Sequence, residues 1–190
     1  MQAVLARTGG TQLIGAKNEW EFSHLLDQIP QRDDDDEAQS GWLNATRYIT
    51  LQAVSAHCLT PRAADRAMAQ AWALDNSPEQ LLPAVDWLRA FDAVGFTSDP
   101  DDPFEAPTHP HQLWRGATFE SRYGLAWTSE AHIARRFADN LRARGLSGEV
   151  FVTIVEPHLV KARYNTHGDE NEWVVDSSGL DISAHGSSDP

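Results

Sequence analysis

Apolar residues change their rhythm about halfway along the chain. Up to about residue 94 they recur every three or four positions, the spacing of one helix face. After residue 111 they gather into short runs rich in Val, Ile, Trp and Tyr, with turn residues between. EWEFSHLLDQI carries Trp20, Phe22, Leu25, Leu26 and Ile29 at helical spacing, and GWLNATRYITLQAVSAHC, PRAADRAMAQAWALD and PEQLLPAVDWLRAF continue the pattern. Pro61 and Pro78 stand near the first turn of the last two, where a missing amide hydrogen costs nothing. These segments predict a small helical lobe.

The runs LWRG, GLAWT, EVFVTIV, LVKARY and EWVVD predict strands of a sheet core. One helix interrupts them: in SEAHIARRFADNLRAR, Ile133, Phe137 and Leu141 recur every four residues with Ala134 and Ala138 beside them, as one buried stripe. Residues 95–112, rich in Pro, Asp, Ser and Thr, have no hydrophobic period and read as a linker or an ordered crossing loop. The predicted class is α+β, with a helical lobe and linker over residues 1–110 and a β core over 111–190, the two expected to pack as one compact domain.

Composition narrows the function classes. A chain of 190 residues can bury a full core without cross-links. Its single cysteine, Cys58, sits in an apolar helical pattern and reads as a core thiol in a reducing compartment. The first twenty residues lack a basic, long-apolar leader, and no run approaches the roughly 20 apolar residues of a membrane span, so the expectation is a soluble, cytoplasmic protein with no membrane partner. The 28 acidic and 15 basic residues leave a net charge of -13, which disfavours unspecific nucleic-acid binding. The charge is uneven, with 17 acids and 7 bases over residues 1–110 against 11 and 8 over 111–190, so an anion is better tolerated in the second half. Arg115, Arg122, Arg135, Arg136, Arg142 and Arg144 fall there, although such a run is more often a solvated helix face than a site.

Several chemistries find little support. The acidic run 33–36 lacks the alternating ligands and turn glycine of a calcium loop. His109 and His111 flank Pro110 without an evident third ligand, and no metal is expected. There are no Cys pairs, no HExxH, no GxxxxGK[ST] and no nucleophile elbow.

What remains is Arg115 in LWRGA, Trp127-Thr128-Ser129 in GLAWTSEAHIARRFA, and Glu170-Asn171-Glu172 in GDENEWVVD. In order and spacing, residues 111–176 resemble the ADP-ribosyltransferase superfamily of the arginine-serine-glutamate type. That family has an arginine at the end of its first core strand, a Ser-Thr-Ser-like motif followed by a helix ending in Phe-Ala, and a Glu-x-Glu motif entering a later strand. The best-fitting register puts Ala126, Trp127 and Thr128 at the Ser-Thr-Ser positions, and sliding by one brings in Ser129. Read locally, Thr128 or Ser129 also suits an N-cap.

The resemblance implies a split β-sheet core whose cleft binds NAD as substrate, with Arg115, Gly116, Trp127, Thr128, Ser129 and Phe137 contacting it. Glu172 would stabilise the ribose cation as nicotinamide departs, Glu170 would orient or deprotonate the acceptor, and Arg115 would pair with the dinucleotide phosphates. Two residues apart on a strand, the carboxylates would share one face about 6.6 Å apart. The implied function is mono-ADP-ribosyl transfer to a macromolecular acceptor, a protein in preference to nucleic acid, with protein arginine a candidate. The alternatives are an NAD glycohydrolase and a degenerate NAD- or protein-binding module of the same fold. Small members of the family are usually toxins, delivered effectors or phage-encoded modifiers, which allows delivery into a target cell and an antitoxin or immunity protein as partner.

Overall fold

The structure is a computed structural model that describes residues 47–48, 50–57, 59–73, 82–99, 102–165 and 170–185. The predicted helix in EWEFSHLLDQI, the acidic run 33–36, Cys58, Pro78 and residues 166–169 lie outside the described residues. The fold is α+β. The chain divides into two compact units, Met1–Pro100 and Asp101–Pro190. Among the described residues no helix is long and apolar enough to cross a membrane.

In the first unit, residues 50–55 are helical and are followed by α1 (Pro61–Ala73), α2 (Ala84–Val94) and a two-residue strand, β1 (Thr97–Ser98). Pro61 opens α1, and Thr60 accepts from the Ala64 amide through its carbonyl at 2.8 Å. Ala63, Ala64, Ala67, Met68, Ala71 and Trp72 are buried, the two-rows-per-turn spacing of a helix face against a core. Trp72 meets Trp87 edge-on at 4.9 Å and Phe91 at 5.7 Å. Edge-to-face pairs of this kind add about 0.5–1.5 kcal/mol beyond area burial. Buried Arg47 donates its Nε to the Ala71 carbonyl at 2.9 Å, one of the last-turn acceptors that a helix leaves unpaired. The described part of α2 starts at Ala84, not at Pro78 as the sequence suggests. The reason is Pro83, whose ring disfavours helical backbone at Leu82 and which lacks an amide hydrogen.

The second unit holds β2 (His111–Ala117), β3 (Ala126–Thr128), α3 (Ala131–Ala143), β4 (Glu149–Val155), a 3-10 turn (Pro157–Leu159), β5 (Val160–Tyr164), β6 (Glu172–Val175) and β7 (Ser183–Ala184). The five runs read as strands fall in β2 to β6. Across this unit the strands lie in the order β5-β6-β3-β2-β4-β7, antiparallel throughout. β2 pairs with β4 along its whole length, from His111↔Val155 to Ala117↔Glu149. Its pairing with β3 is a single position, Trp114↔Thr128, so the sheet is barely joined there. The start of the predicted crossing loop's second half is ordered: Phe104 packs edge-on against Trp173 at 5.6 Å.

α3 lies on β2 and β4, and two glycines decide how closely. A Cβ on Gly116 would collide with the Ala134 carbonyl and come within 2.7 Å of the Ala138 amide nitrogen, and a Cβ on Gly148 would collide with the Ala138 carbonyl. Ala134, Ala138 and Val150 are buried together with Trp114 against them. This approach corrects the predicted stripe. Ile133, Ala134 and Ala138 are buried, but Phe137 is 37% exposed and Leu141 is only half-buried, because a helix held this near the sheet admits methyl groups and turns larger side chains to its flank.

Replacing Gly116 by Val should therefore lower stability by at least about 2 kcal/mol, within the range for overpacking a close contact. Urea unfolding followed by circular dichroism measures it, and an unchanged midpoint would contradict the packing described here.

Candidate functional site

Strand register groups some of the singled-out residues and separates others. Residues directly opposite across an antiparallel pair share a face, so Trp114, Thr128 and Glu172 form one row across β2, β3 and β6, with Tyr164 of β5 beyond Glu172. Trp114 packs on α3, which makes this the α3 side of the sheet. Arg115 is one residue along β2, so its Cβ points to the other face. The expected alignment of Arg115 and the glutamates across one crevice is thus not a shared strand face.

The Arg115 guanidinium turns into the gap between β2 and β3. Its Nη1 donates to the Ala126 carbonyl at 2.5 Å and its Nε to the Ser121 carbonyl at 3.1 Å. The neighbouring Leu125 carbonyl accepts from Val175 of β6, so the Ala126 carbonyl faces the β2 side, where a partner strand would supply an amide. Arg115 supplies that donor where backbone pairing has stopped. Its anchor at Ala126 is roughly 8 Å from the Glu172 backbone, taking about 4.8 Å between strands and about 3.3 Å per residue.

Thr128 is buried and its hydroxyl works twice, donating to the Glu170 carbonyl at 2.7 Å and accepting from the Glu130 amide at 3.1 Å. It joins the end of β3, the approach to α3 and the Glu170 turn. Ser129 does not cap the helix: the N-cap residue is Glu130, with no side-chain cap bond.

Glu170 lies in a turn ahead of β6, and Asn171 has φ 42°, left-handed backbone that asparagine tolerates better than most side chains. The extended geometry that would set both carboxylates on one face therefore ends at Glu172, the first residue of β6. Instead, Glu170 Oε1 accepts from Arg136 Nη2 of α3 at 2.8 Å, with the two side chains 23% and 53% exposed. Asn171 Oδ1 accepts from Arg163 Nη2 of β5 at 2.8 Å, and the Arg163 guanidinium sits 4.0 Å from the Phe104 ring centre. Three elements, β3, α3 and β5, thus fix the backbone and side chains of one short turn.

Other expected contacts fall elsewhere. Trp127 is 2% exposed with its indole N–H on the Gly124 carbonyl at 2.8 Å, so it is a core side chain that offers no ring face to a ligand. The bare side of Gly116 is filled by α3. Phe137 stands at the flank of α3, its ring centre 5.7 Å from the Arg136 guanidinium carbon. The His111 ring centre lies 4.9 Å from that of Trp173, and among the described residues no group of three or more His, Cys, Asp or Glu is placed to hold a metal ion. Arg136 and Arg163 are the residues that sequence reasoning missed. Arg136 was visible as one of an arginine run, but its partner is 34 residues away and on another element.

Thr128→Val keeps the side-chain shape and removes both hydrogen bonds, leaving a partly buried amide and carbonyl to find other partners at a cost of about 1 kcal/mol. Faster amide exchange at residues 170–172 and 130 is the expected readout, and unchanged protection would show that Thr128 does not hold the turn. No protein-family model matches the chain, and neither a curated protein nor a solved structure matches it.

Proposed function

We propose that residues 101–190 cleave NAD at its nicotinamide–ribose bond and transfer the ADP-ribose to a side chain of a protein acceptor. The observation that carries this reading is the Glu170-Asn171-Glu172 turn, fixed through Thr128, Arg136 and Arg163, next to a sheet that parts between β2 and β3 with an arginine in the opening. A cation-stabilising carboxylate helps only if it is already in place when charge develops, because moving it then would consume the gain. The anchored turn provides that fixity for Glu172, which opens β6 beside Thr128.

In this reading Glu172 faces the ribose as positive charge develops at C1′, and Glu170 orients the acceptor and receives its proton. Arg115 suits the anionic end of the dinucleotide, because the planar fork of a guanidinium matches phosphate oxygens better than a point charge does. Bound NAD supplies the reactive bond, and these residues hold, orient and screen it. A second reading, NAD binding without turnover, is favoured by one observation: the Thr128 hydroxyl and two Arg115 donors serve the protein's own backbone.

Purified full-length protein given NAD should release nicotinamide, and Glu172→Gln should slow that release by at least about a hundredfold, the scale of one lost transition-state contact. Equal rates in wild type and variant would remove the assignment of Glu172, while NAD binding with no nicotinamide release decides for the second reading. Glu170→Gln should reduce labelling of lysate proteins from labelled NAD more than it reduces nicotinamide release. Matching losses in the two assays would end the acceptor-side role.

A further inference from the structure

The carboxylate assigned to the acceptor already holds a guanidinium, since Arg136 Nη2 lies 2.8 Å from Glu170 Oε1. We propose that Arg136 is an internal acceptor, ADP-ribosylated in cis; this rests on the function proposed above.

Among the described arginines, three observations favour Arg136 for that role. Thr128 and Glu172 are paired on the α3 side of the sheet, and the Thr128 hydroxyl fixes the Glu170 backbone, so both carboxylate-bearing residues are set next to the helix that carries Arg136. Gly116 and Gly148 seat α3, which carries Arg136, directly on β2 and β4, and the Arg136 side chain is 53% exposed. Arg163, the other guanidinium at this turn, differs on both counts: it is bonded to the Asn171 amide oxygen, stacked on Phe104, and aligned with Trp173 on the opposite face.

The step balances within the groups named. Arg136 Nη2 forms a bond to ribose C1′ while the C1′–nicotinamide bond breaks, its electron pair neutralising the pyridinium ring. The proton displaced from Nη2 passes to Glu170 and on to solvent. One NAD is consumed, one nicotinamide and one proton are released, and Arg136 carries one ADP-ribose.

The test incubates the full chain with NAD and no added acceptor, following nicotinamide release, intact mass, and the modified residue by peptide fragmentation. The expected result is a mass increase of one ADP-ribose mapped to Arg136, with a modified fraction unchanged on tenfold dilution of the protein, and loss of at least about nine-tenths of it in Arg136→Lys. Mapping on the wild-type chain decides the matter even if that variant folds poorly. Nicotinamide release with no adduct, with an adduct elsewhere such as Arg163, or with an adduct whose yield falls on dilution, overturns the inference and leaves the proposed function standing. No nicotinamide release overturns both.

Discussion

One buried hydroxyl fastens three segments of the second unit together. Thr128 ends β3, its oxygen accepts from the amide that leads into α3, and its proton goes to the carbonyl of Glu170 across the sheet. Both partners are only partly buried, so losing either bond would cost less than the roughly 1–3 kcal/mol of a fully buried unpaired group, but one hydroxyl serves both segments at once. The position of Glu172 follows from it, since the residue two beyond the pinned carbonyl begins β6 opposite Thr128.

The weak seam between β2 and β3 is the complementary constraint. With one aligned pair, Trp114↔Thr128, the two strands are free to diverge on the Arg115 side, and a bare opening there would leave the Ala126 carbonyl without a partner. A guanidinium serves there as a backbone amide would, and its several donors let it reach the Ser121 carbonyl as well. The seam is held from the other side by α3, which the absence of two Cβ atoms at Gly116 and Gly148 brings against β2 and β4. Divergence is therefore local: β2 stays locked to β4 along its length while β3 goes with β6.

Much of this was legible in the chain and some was not, for identifiable reasons. Short β-branched and aromatic runs fix strands through local preference, so β2 to β6 could be placed from residues alone, as could α3 from its four-residue period. The candidate residues Thr128, Glu170 and Glu172 are brought together. Trp127 was misplaced because an aromatic in a motif carries no mark of the face it will occupy, and strand alternation sends it to the side opposite Thr128. Phe137 was assigned to a buried stripe because periodicity counts apolar residues without knowing how near the sheet will come. The pairings of Arg136 and Arg163 were not legible, since their partners lie 34 and 8 residues away, distances at which pairing depends on topology and not on local pattern.

The crowding of Glu170 and Glu172 is resolved by backbone shape. Two carboxylates at alternate positions of one extended strand would repel by on the order of 2.5 kcal/mol at an effective dielectric of about 20. At Asn171 the chain instead takes a left-handed turn, which carries Glu170 out of the strand and toward a cation on α3 while Glu172 keeps its place in the ladder. Asparagine suits that position twice over, since it accepts the left-handed geometry and offers an amide oxygen to Arg163. The same turn gives the two acids different surroundings: Glu172 begins a strand of the sheet, and Glu170 is paired to a half-exposed side chain. A motif with a β-branched residue between the glutamates would lose this division, because it would favour the extended path and return both acids to one face.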